Sequence, residues 1–358
     1  MTVQTLPARP EEGASLRPLP WRRMAWVTWR QHRFALTGVA VFLGALAAIL
    51  WRVGVGLHQA YAAAAACHPI TSPVCDALQT RFGDMDAFLA NGYGLQAVPA
   101  LIGAFAGAPV LARELETGTF RYAWTQGFSR WRWTLAKLLP LAIAVAAAAG
   151  TFSVLVAWYY RPYLTTGNQF LSGESPVGTF FALRGVAFAA WTLAAFAIGA
   201  LAGVLIRRVV SAIAAALAAY VGLAFAAGLY LRQHYLTPLV ARNLFRPPAS
   251  AWITSQWWTK GGTTISQSVM TARINRMFYQ LMPLVHASAP KGSDVKEQKG
   301  LANGDILHNL VRHGYTQWTS YQPASRFWEF QWIEAGWLLA LSVLLIAATV
   351  WLVRRRAA

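Results

Sequence analysis

Six long apolar runs alternate with polar segments along this chain. A helix that crosses a bilayer core takes roughly 20 apolar residues, within a range of about 17 to 25. Each run is long enough, so the pattern predicts an all-α integral membrane protein with six transmembrane helices. The predicted spans are residues 34–51, 94–111, 138–159, 179–206, 209–231 and 332–353.

The segments before the first span differ from one another in composition. Residues 1–20 are rich in Pro, Glu and Arg without periodicity, which is typical of a disordered tail. Residues 21–33 mix Trp with Arg, which favours an interfacial elbow helix ahead of the first span. A cleaved signal peptide is disfavoured, because a leader ending in the alanines at 62–66 would exceed 60 residues.

Two later features modify the six-helix pattern. Pro99 and Pro109 lie inside the second span, and because proline kinks membrane helices they predict that this helix is bent or broken. Residues 232–331, between the fifth and sixth spans, carry many Trp and Tyr side chains. They predict a small folded loop domain of about 100 residues with an amphipathic helix around 270–281. Residues 332–358 then hold the last span and a basic end.

Basic residues predict the orientation. The chain has 31 Lys and Arg against 13 Asp and Glu. These cations are concentrated at the ends of the apolar runs, which is typical of residues that determine membrane topology and not of a nucleic-acid-binding surface. With a cytoplasmic N-terminus, 16 of them lie inside and 4 in short outer segments. The other 11 lie in the loop 232–331, which is long enough to be largely exempt. Both termini and segment 112–137 are therefore expected in the cytoplasm, and the loop domain outside.

The only two cysteines, Cys67 and Cys75, fall in the predicted outer segment 52–93. On the oxidising face of a membrane, this spacing favours a small disulfide loop. Two free thiols are the alternative. Lipid attachment at Cys67 is disfavoured, because it requires the cleavage already argued against.

Catalytic motifs are missing from the sequence. It contains no Walker A pattern, no Gly-x-Ser-x-Gly elbow and no His-Glu-x-x-His metal motif. The chain is therefore predicted not to be an enzyme, and it is predicted to hold neither a metal nor a cofactor. The apolar cores of the predicted spans lack Asp, Glu, Lys and His, which disfavours ion-coupled transport. Arg184 and Glu334 lie near the outer span ends. Snorkelling is their simplest interpretation, and a substrate path along Arg184 is the alternative.

Segment 112–137 is the polar stretch that needs an explanation. Glu114 and Glu116 precede Arg121, which is the charge order that suits a helix dipole. Gly118 then allows a turn and the close approach of another backbone. The alternative is a solvated linker anchored at the interface by Trp124, Trp131 and Trp133.

A family resemblance rests on this segment. Residues 113–119, Arg-Glu-Leu-Glu-Thr-Gly-Thr, follow the second span and resemble the Glu-x-x-x-Gly-Thr signature of permease subunits of ABC-2 type exporters. Six spans, cytoplasmic termini and an elbow before the first span are similar to that family too. Residues 112–126 and 321–328 resemble an actinobacterial branch of it. The last loop departs from the family by being longer than in many relatives.

The resemblance implies a function in the bacterial plasma membrane. A separate ABC ATP-binding subunit would bind ATP and Mg and dock on segment 112–137, and two permease copies, identical or paralogous, would form the pore. The substrate would be a hydrophobic or amphipathic lipid, peptide or antibiotic. An uncoupled channel or secondary carrier, or a sensor or enzyme acting through the loop domain, is the alternative. The ATPase-coupling residues implied are Arg113, Glu114, Glu116, Gly118, Thr119 and Arg121.

Overall fold

A computed structural model describes residues 21–68, 72–84, 93–118, 130–165, 181–243, 251–288 and 295–356. The tail predicted at 1–20 lies outside these ranges. The described residues form nine α-helices and four strands. The helices are α1 (Trp21–Ala66), α2 (Pro73–Asp84), α3 (Tyr93–Thr117), α4 (Arg130–Thr165), α5 (Gly185–Ile206), α6 (Val209–Ala226), α7 (Gln267–Ser288), α8 (Val295–Arg312) and α9 (Phe327–Arg356). The strands are β1 (Leu239–Arg242), β2 (Trp252–Lys260), β3 (Thr263–Ile265) and β4 (Tyr315–Gln322).

The prediction of six spans is confirmed. Helices α1, α3, α4, α5, α6 and α9 are each long and apolar enough to cross a membrane. Helix α6 continues beyond residue 226 as a π-helical turn, Ala227–Leu231. Helix α5 begins at Gly185, later than the predicted 179, because a 3-10 turn at Phe181–Leu183 precedes it.

Helix α1 is longer than the apolar run that identified it. It has 46 residues, and at a rise of 1.5 Å per residue it is about 69 Å long, roughly twice the thickness of a bilayer core. Residues 21–33 begin this helix and do not form a separate elbow. The alanines at 62–66 extend its other end, because alanine has the highest helix propensity.

The polar segment 112–137 also differs from its prediction. Residues up to 117 continue α3, and residues from 130 already belong to α4. More than half of this segment therefore belongs to the helices of the second and third spans and does not form a separate polar element. Helix α3 runs without a break through Pro99 and Pro109, so a broken second span is wrong. Packing against neighbouring helices lets membrane helices tolerate such prolines.

The prediction of an all-α protein is wrong, because the chain between α6 and α9 contains an antiparallel sheet. Its strand order is β1-β4-β2-β3. Strand β2 is rich in aromatic and β-branched residues, which favour strands. Gly261 and Gly262 join β2 to β3 with φ values of 55° and 84°, the positive angles that a two-residue hairpin turn requires.

A small core joins the sheet to α7 and α8. Trp258, Met270, Ile306, Leu310 and Tyr315 are buried together. The amphipathic helix predicted around 270–281 is confirmed as part of α7. The part of this region that the structure describes is therefore a folded α+β unit.

Glycines set the packing of α3 against α5. Gly103 and Gly107 of α3 face the backbone of residues 195 and 196, and Gly199 and Gly203 of α5 face the backbone of α3. A Cβ added at Gly203 would lie 2.6 Å from the carbonyl oxygen of Ala108. Small residues four apart let membrane helices approach this closely. We call these four glycines the glycine seam.

Filling the glycine seam should destabilise the protein. Gly203→Leu inserts a side chain where backbone already lies, and overpacking of this kind costs about 1–3 kcal/mol. Gly150→Leu on α4 is the control, because a Cβ added there meets nothing within 4 Å. We expect a lower thermal midpoint of the purified protein in detergent for Gly203→Leu only. Equal midpoints for the two variants would contradict the close packing of α3 and α5.

Candidate functional site

The end of α3 carries the residues that the sequence singled out. Gly118 follows the helix with φ +70°, a left-handed conformation that favours glycine just after a helix end. A Cβ added there meets nothing within 4 Å among the described residues. Gly118 is therefore needed for the turn and not, in this part of the chain, for the close approach of another backbone.

Glu114 ties α3 to α4. Its Oε1 atom accepts a hydrogen bond from Lys137 Nζ, and the two side chains form a salt bridge with only 16% and 5% of their surface exposed. The Lys137 ammonium also lies 4.2 Å from the ring centroid of Trp133. A buried charge is stable only when it is paired, so this contact fixes the end of α3 against the start of α4.

Glu116 ties α3 to α6. Its Oε2 atom accepts a hydrogen bond from the Val209 backbone N–H at 3.1 Å. Val209 is the first residue of α6, and a carboxylate at a helix N-terminus typically contributes about 0.3–1 kcal/mol. Arg207, with φ 60°, and Arg208 form the two-residue link between α5 and α6. We call the contacts of Glu114 with Lys137 and of Glu116 with Val209 the α3 junction.

The other predicted residues of this segment have mixed outcomes. Arg113 is exposed. Thr119 and Arg121 lie outside the described residues, as does Trp124. Trp131 is 42% exposed, as an interfacial anchor would be, whereas Trp133 is 7% exposed and packs beneath Lys137.

A second polar site lies at the opposite ends of the spans, where the sequence suggested snorkelling. Glu334 has no exposed surface, so the snorkelling interpretation of this residue is wrong. Arg232 donates two hydrogen bonds to its carboxylate, from Nε to Oε2 at 2.8 Å and from Nη2 to Oε1 at 2.7 Å. The two residues are 102 positions apart, so no local pattern could reveal the pair.

Three aromatic side chains complete this site. Trp191 donates its indole N–H to Glu334 Oε1 at 2.6 Å, and the Tyr235 hydroxyl donates to Oε2 at 3.2 Å. Trp337 donates to the Tyr235 oxygen at 2.8 Å. We call Arg232, Glu334 and these three aromatic residues the Glu334 cluster. It holds α5, the end of α6 and α9 together, because each helix or its extension supplies at least one member.

Arg184 does not snorkel either. It is 8% exposed, and its guanidinium carbon lies 4.8 Å from the ring centroid of Phe327. A cavity of about 170 Å³ lies beside the Glu334 cluster, with Leu183, Trp191, Tyr220 and Arg232 in its wall. Among the described residues that line this cavity, Arg232 supplies the cation.

Cys67 and Cys75 are joined by a disulfide, with their Cα atoms 5.6 Å apart. This bond connects the end of α1 to the start of α2. Within the described ranges, no group of three or more His, Cys, Asp or Glu residues is placed to hold a metal ion.

Removing one charge of the Glu334 cluster should be strongly destabilising. Glu334→Gln leaves Arg232 buried without a counter-charge, which typically costs about 3–5 kcal/mol. The double variant Glu334→Gln with Arg232→Met should recover much of that loss, because it leaves no unpaired charge. Glu329→Gln, an exposed carboxylate in the first turn of α9, is the control. Thermal unfolding in detergent measures the wild type and these three variants, and a double variant no more stable than Glu334→Gln would contradict the pairing.

Comparison with known proteins identifies the family. The family described as ABC-2 membrane transporter related matches residues 40–232, which is more than half of the chain. No curated protein and no solved structure matched. Members of this family are membrane components of transporters and are generally non-catalytic, and the family implies an ABC ATPase subunit as partner. With its six apolar helices, this chain belongs to the ABC-2 membrane transporter family as a multi-pass permease.

Proposed function

We propose that this chain is the permease subunit of an ATP-driven exporter. In this proposal it lies in a bacterial plasma membrane with both termini in the cytoplasm, and it belongs to the actinobacterial branch that residues 112–126 and 321–328 resemble. A separate ATPase subunit binds ATP and Mg, and a second copy or a paralogue completes the pore. The 16 cations at one set of span ends against 4 at the other, and the missing Walker A motif, support this proposal.

The α3 junction is the observation that carries the coupling proposal. Glu114 joins the end of α3 to α4, and Glu116 joins it to α6. The glycine seam packs α3 on α5. A displacement applied at the end of α3 is therefore passed to three further spans, which is what an ATPase docked on segment 112–137 needs.

The contacts also divide the coupling residues by role. The carboxylate of Glu114 is held by Lys137, so Glu114 acts as a positioning residue between two spans and not as a docking contact. Arg113 and Glu116 are exposed and are available to a partner. Thr119 and Arg121 remain in the proposed docking surface.

The opposite ends of the spans face the exterior in this proposal. That orientation puts the α+β unit and the Cys67–Cys75 disulfide outside the cell, where disulfides persist. The exported substrate is hydrophobic or amphipathic, in keeping with the apolar spans. Arg184 borders its path, because the neighbouring Leu183 lines the cavity beside the Glu334 cluster.

An ion-coupled carrier is less well supported. Such a carrier needs ionisable groups in its spans that can bind and release an ion or a proton. The acidic groups buried at the span ends are instead engaged, Glu114 with Lys137 and Glu334 with Arg232.

The test uses the chain co-expressed with the proteins of its adjacent reading frames and purified in mild detergent. We expect the ATPase to be recovered with the permease, and its activity to fall at least several-fold in Glu114→Lys and in Lys137→Glu, each of which leaves two like charges buried together. The double swap should restore much of the activity, because it restores an ion pair.

Glu329→Lys, at the opposite ends of the spans, is the control and should retain activity. Membrane abundance of each variant is measured alongside, so that loss of coupling is separated from loss of protein. Recovery of no ATPase would contradict the exporter proposal. Normal activity in both single variants would contradict the coupling role of the junction.

A further inference from the structure

The cavity beside the Glu334 cluster has room for one ring. It measures about 170 Å³ and lies between α3, α5 and the end of α6, with its described walls supplied by a single chain. An apolar cavity of about 150 Å³ in another protein holds one benzene molecule. By volume, the cavity therefore takes a single six-membered ring with a small substituent.

Two polar groups in its wall have hydrogen-bonding capacity that no described residue uses. Tyr220 is 7% exposed, and its hydroxyl makes no hydrogen bond with a described residue. Arg232 donates from Nε and Nη2 to Glu334, and no described residue accepts a hydrogen bond from Nη1. The Tyr220 hydroxyl is close enough to Arg232 to be influenced by its charge. Because unpaired buried polar groups are costly, the pair favours an occupant with an oxygen atom between them.

The charges at this wall favour an uncharged occupant. Glu334 already neutralises Arg232 through their salt bridge. Among the other described residues that line the cavity, none carries a charge. An anion would therefore lose its hydration without meeting a net positive charge, and a cation would gain no net attraction either.

Water alone matches the cavity less well than a ring does. A buried water takes roughly two to four hydrogen-bond partners. Tyr220 and Arg232 can serve a molecule beside them, but the wall also contains the apolar side chains of Pro99, Leu183 and Ala224. An occupant with one polar edge and an apolar body uses both kinds of wall.

Gly228 gives such an occupant a way in. It lines the cavity and is exposed, and it belongs to the π-helical turn that extends α6. A Cβ added there meets nothing within 4 Å. The neighbouring Leu229 and Tyr230 are 61% and 67% exposed near the end of a membrane span. The cavity therefore opens at a surface that a molecule dissolved in the membrane can reach.

We propose that this cavity binds an uncharged aromatic ring that carries a hydroxyl or carbonyl oxygen, as in a phenol. The ring lies in the apolar part beside Trp191, and its oxygen lies at the Tyr220 hydroxyl and Arg232 Nη1. A sugar is less suitable, because the hydroxyls around its whole edge would be buried against apolar side chains. The cavity thereby assigns a substrate class, an amphipathic molecule with a phenol-like end, and this part of the inference rests on the exporter proposal.

The test exposes the full chain in lipid nanodiscs to the photoreactive probe 4-azidophenol. The matched probe is 4-azidotoluene, in which a methyl group of similar size replaces the hydroxyl. After irradiation, mass spectrometry of the peptides maps the labelled positions. We expect 4-azidophenol to label the wall, residues 96–99, 182–191 and 220–232, several-fold more than 4-azidotoluene does. The toluene probe partitions more strongly into the membrane, so partition alone predicts the opposite order.

Three variants separate recognition of the oxygen from the space itself. Tyr220→Phe removes a hydroxyl without a described partner and keeps the ring, so it should lower labelling by 4-azidophenol to the level of 4-azidotoluene. Gly228→Leu fills the cavity and should remove most labelling by both probes. Gly222→Leu on the same helix is the control, because its added Cβ also meets nothing within 4 Å and Gly222 does not line the cavity. Each variant is first checked for a single symmetric peak in gel filtration.

Two outcomes would overturn the proposal. Equal labelling by the two probes that Tyr220→Phe leaves unchanged would show partition into an apolar space without recognition of an oxygen. Protection of the wall by excess methyl glucoside, but not by excess phenol, would show that the site takes a sugar.

Labelling is read without ATPase or nucleotide, which keeps this test separate from that of the exporter proposal. A chain that fails to be labelled can still couple to an ATPase. A chain that recovers no ATPase can still be labelled, and the binding site would then stand without the assigned substrate class.

Discussion

The contact between α3 and α5 is the constraint on which the rest of the bundle depends. At Gly103, Gly107, Gly199 and Gly203 the two helices approach until backbone meets backbone, and a side chain at any of these positions would meet atoms of the other helix. In hydrocarbon no hydrophobic force drives helices together, so close contact of this kind supplies the attraction. The other spans pack around this pair.

Buried charges secure the two ends of that pair. At one end, the Glu114–Lys137 ion pair joins α3 to α4, and the exposed Glu116 carboxylate accepts a hydrogen bond from the first residue of α6. At the other end, Glu334 and Arg232 join α9 to the end of α6, and Trp191 connects α5 to the same carboxylate. Because breaking such a pair leaves a charge in a poorly solvated site, each end resists separation. The spans that meet at both ends are expected to move as a unit.

Part of this architecture could be predicted from the sequence. Six apolar runs of sufficient length predicted six spans, since hydropathy measures what the bilayer selects. The length of α1 could not be predicted in this way, because a helix continues beyond its apolar run wherever nothing stops it. The sheet could have been predicted in part, because an aromatic, β-branched run followed by Gly261 and Gly262 is typical of a β-hairpin. The prediction of an all-α protein rested on the apolar helices and overlooked this pattern.

The candidate sites were harder to predict. The sequence singled out Glu114 and Glu116 but assigned both to a partner, because their contacts, Lys137 and Val209, are 23 and 93 residues away. The glycine seam had a signal, since Gly103 and Gly107, and Gly199 and Gly203, each lie four residues apart within a span. Which helix faces which is decided by the whole bundle, and a single sequence does not display it.

The central claim is that the α3 junction and the glycine seam make the ends of α4 and α6 move together. Spin labels at Trp131→Cys on α4 and Val210→Cys on α6, both exposed positions, report the distance between these two ends. Pulsed electron resonance on the complex with its ATPase should give the same narrow distribution with and without a non-hydrolysable ATP analogue. In the proposed pair of permeases, the distance between the two Val210→Cys labels should change. A shift or broadening of the distance between residues 131 and 210 on nucleotide binding would contradict the account.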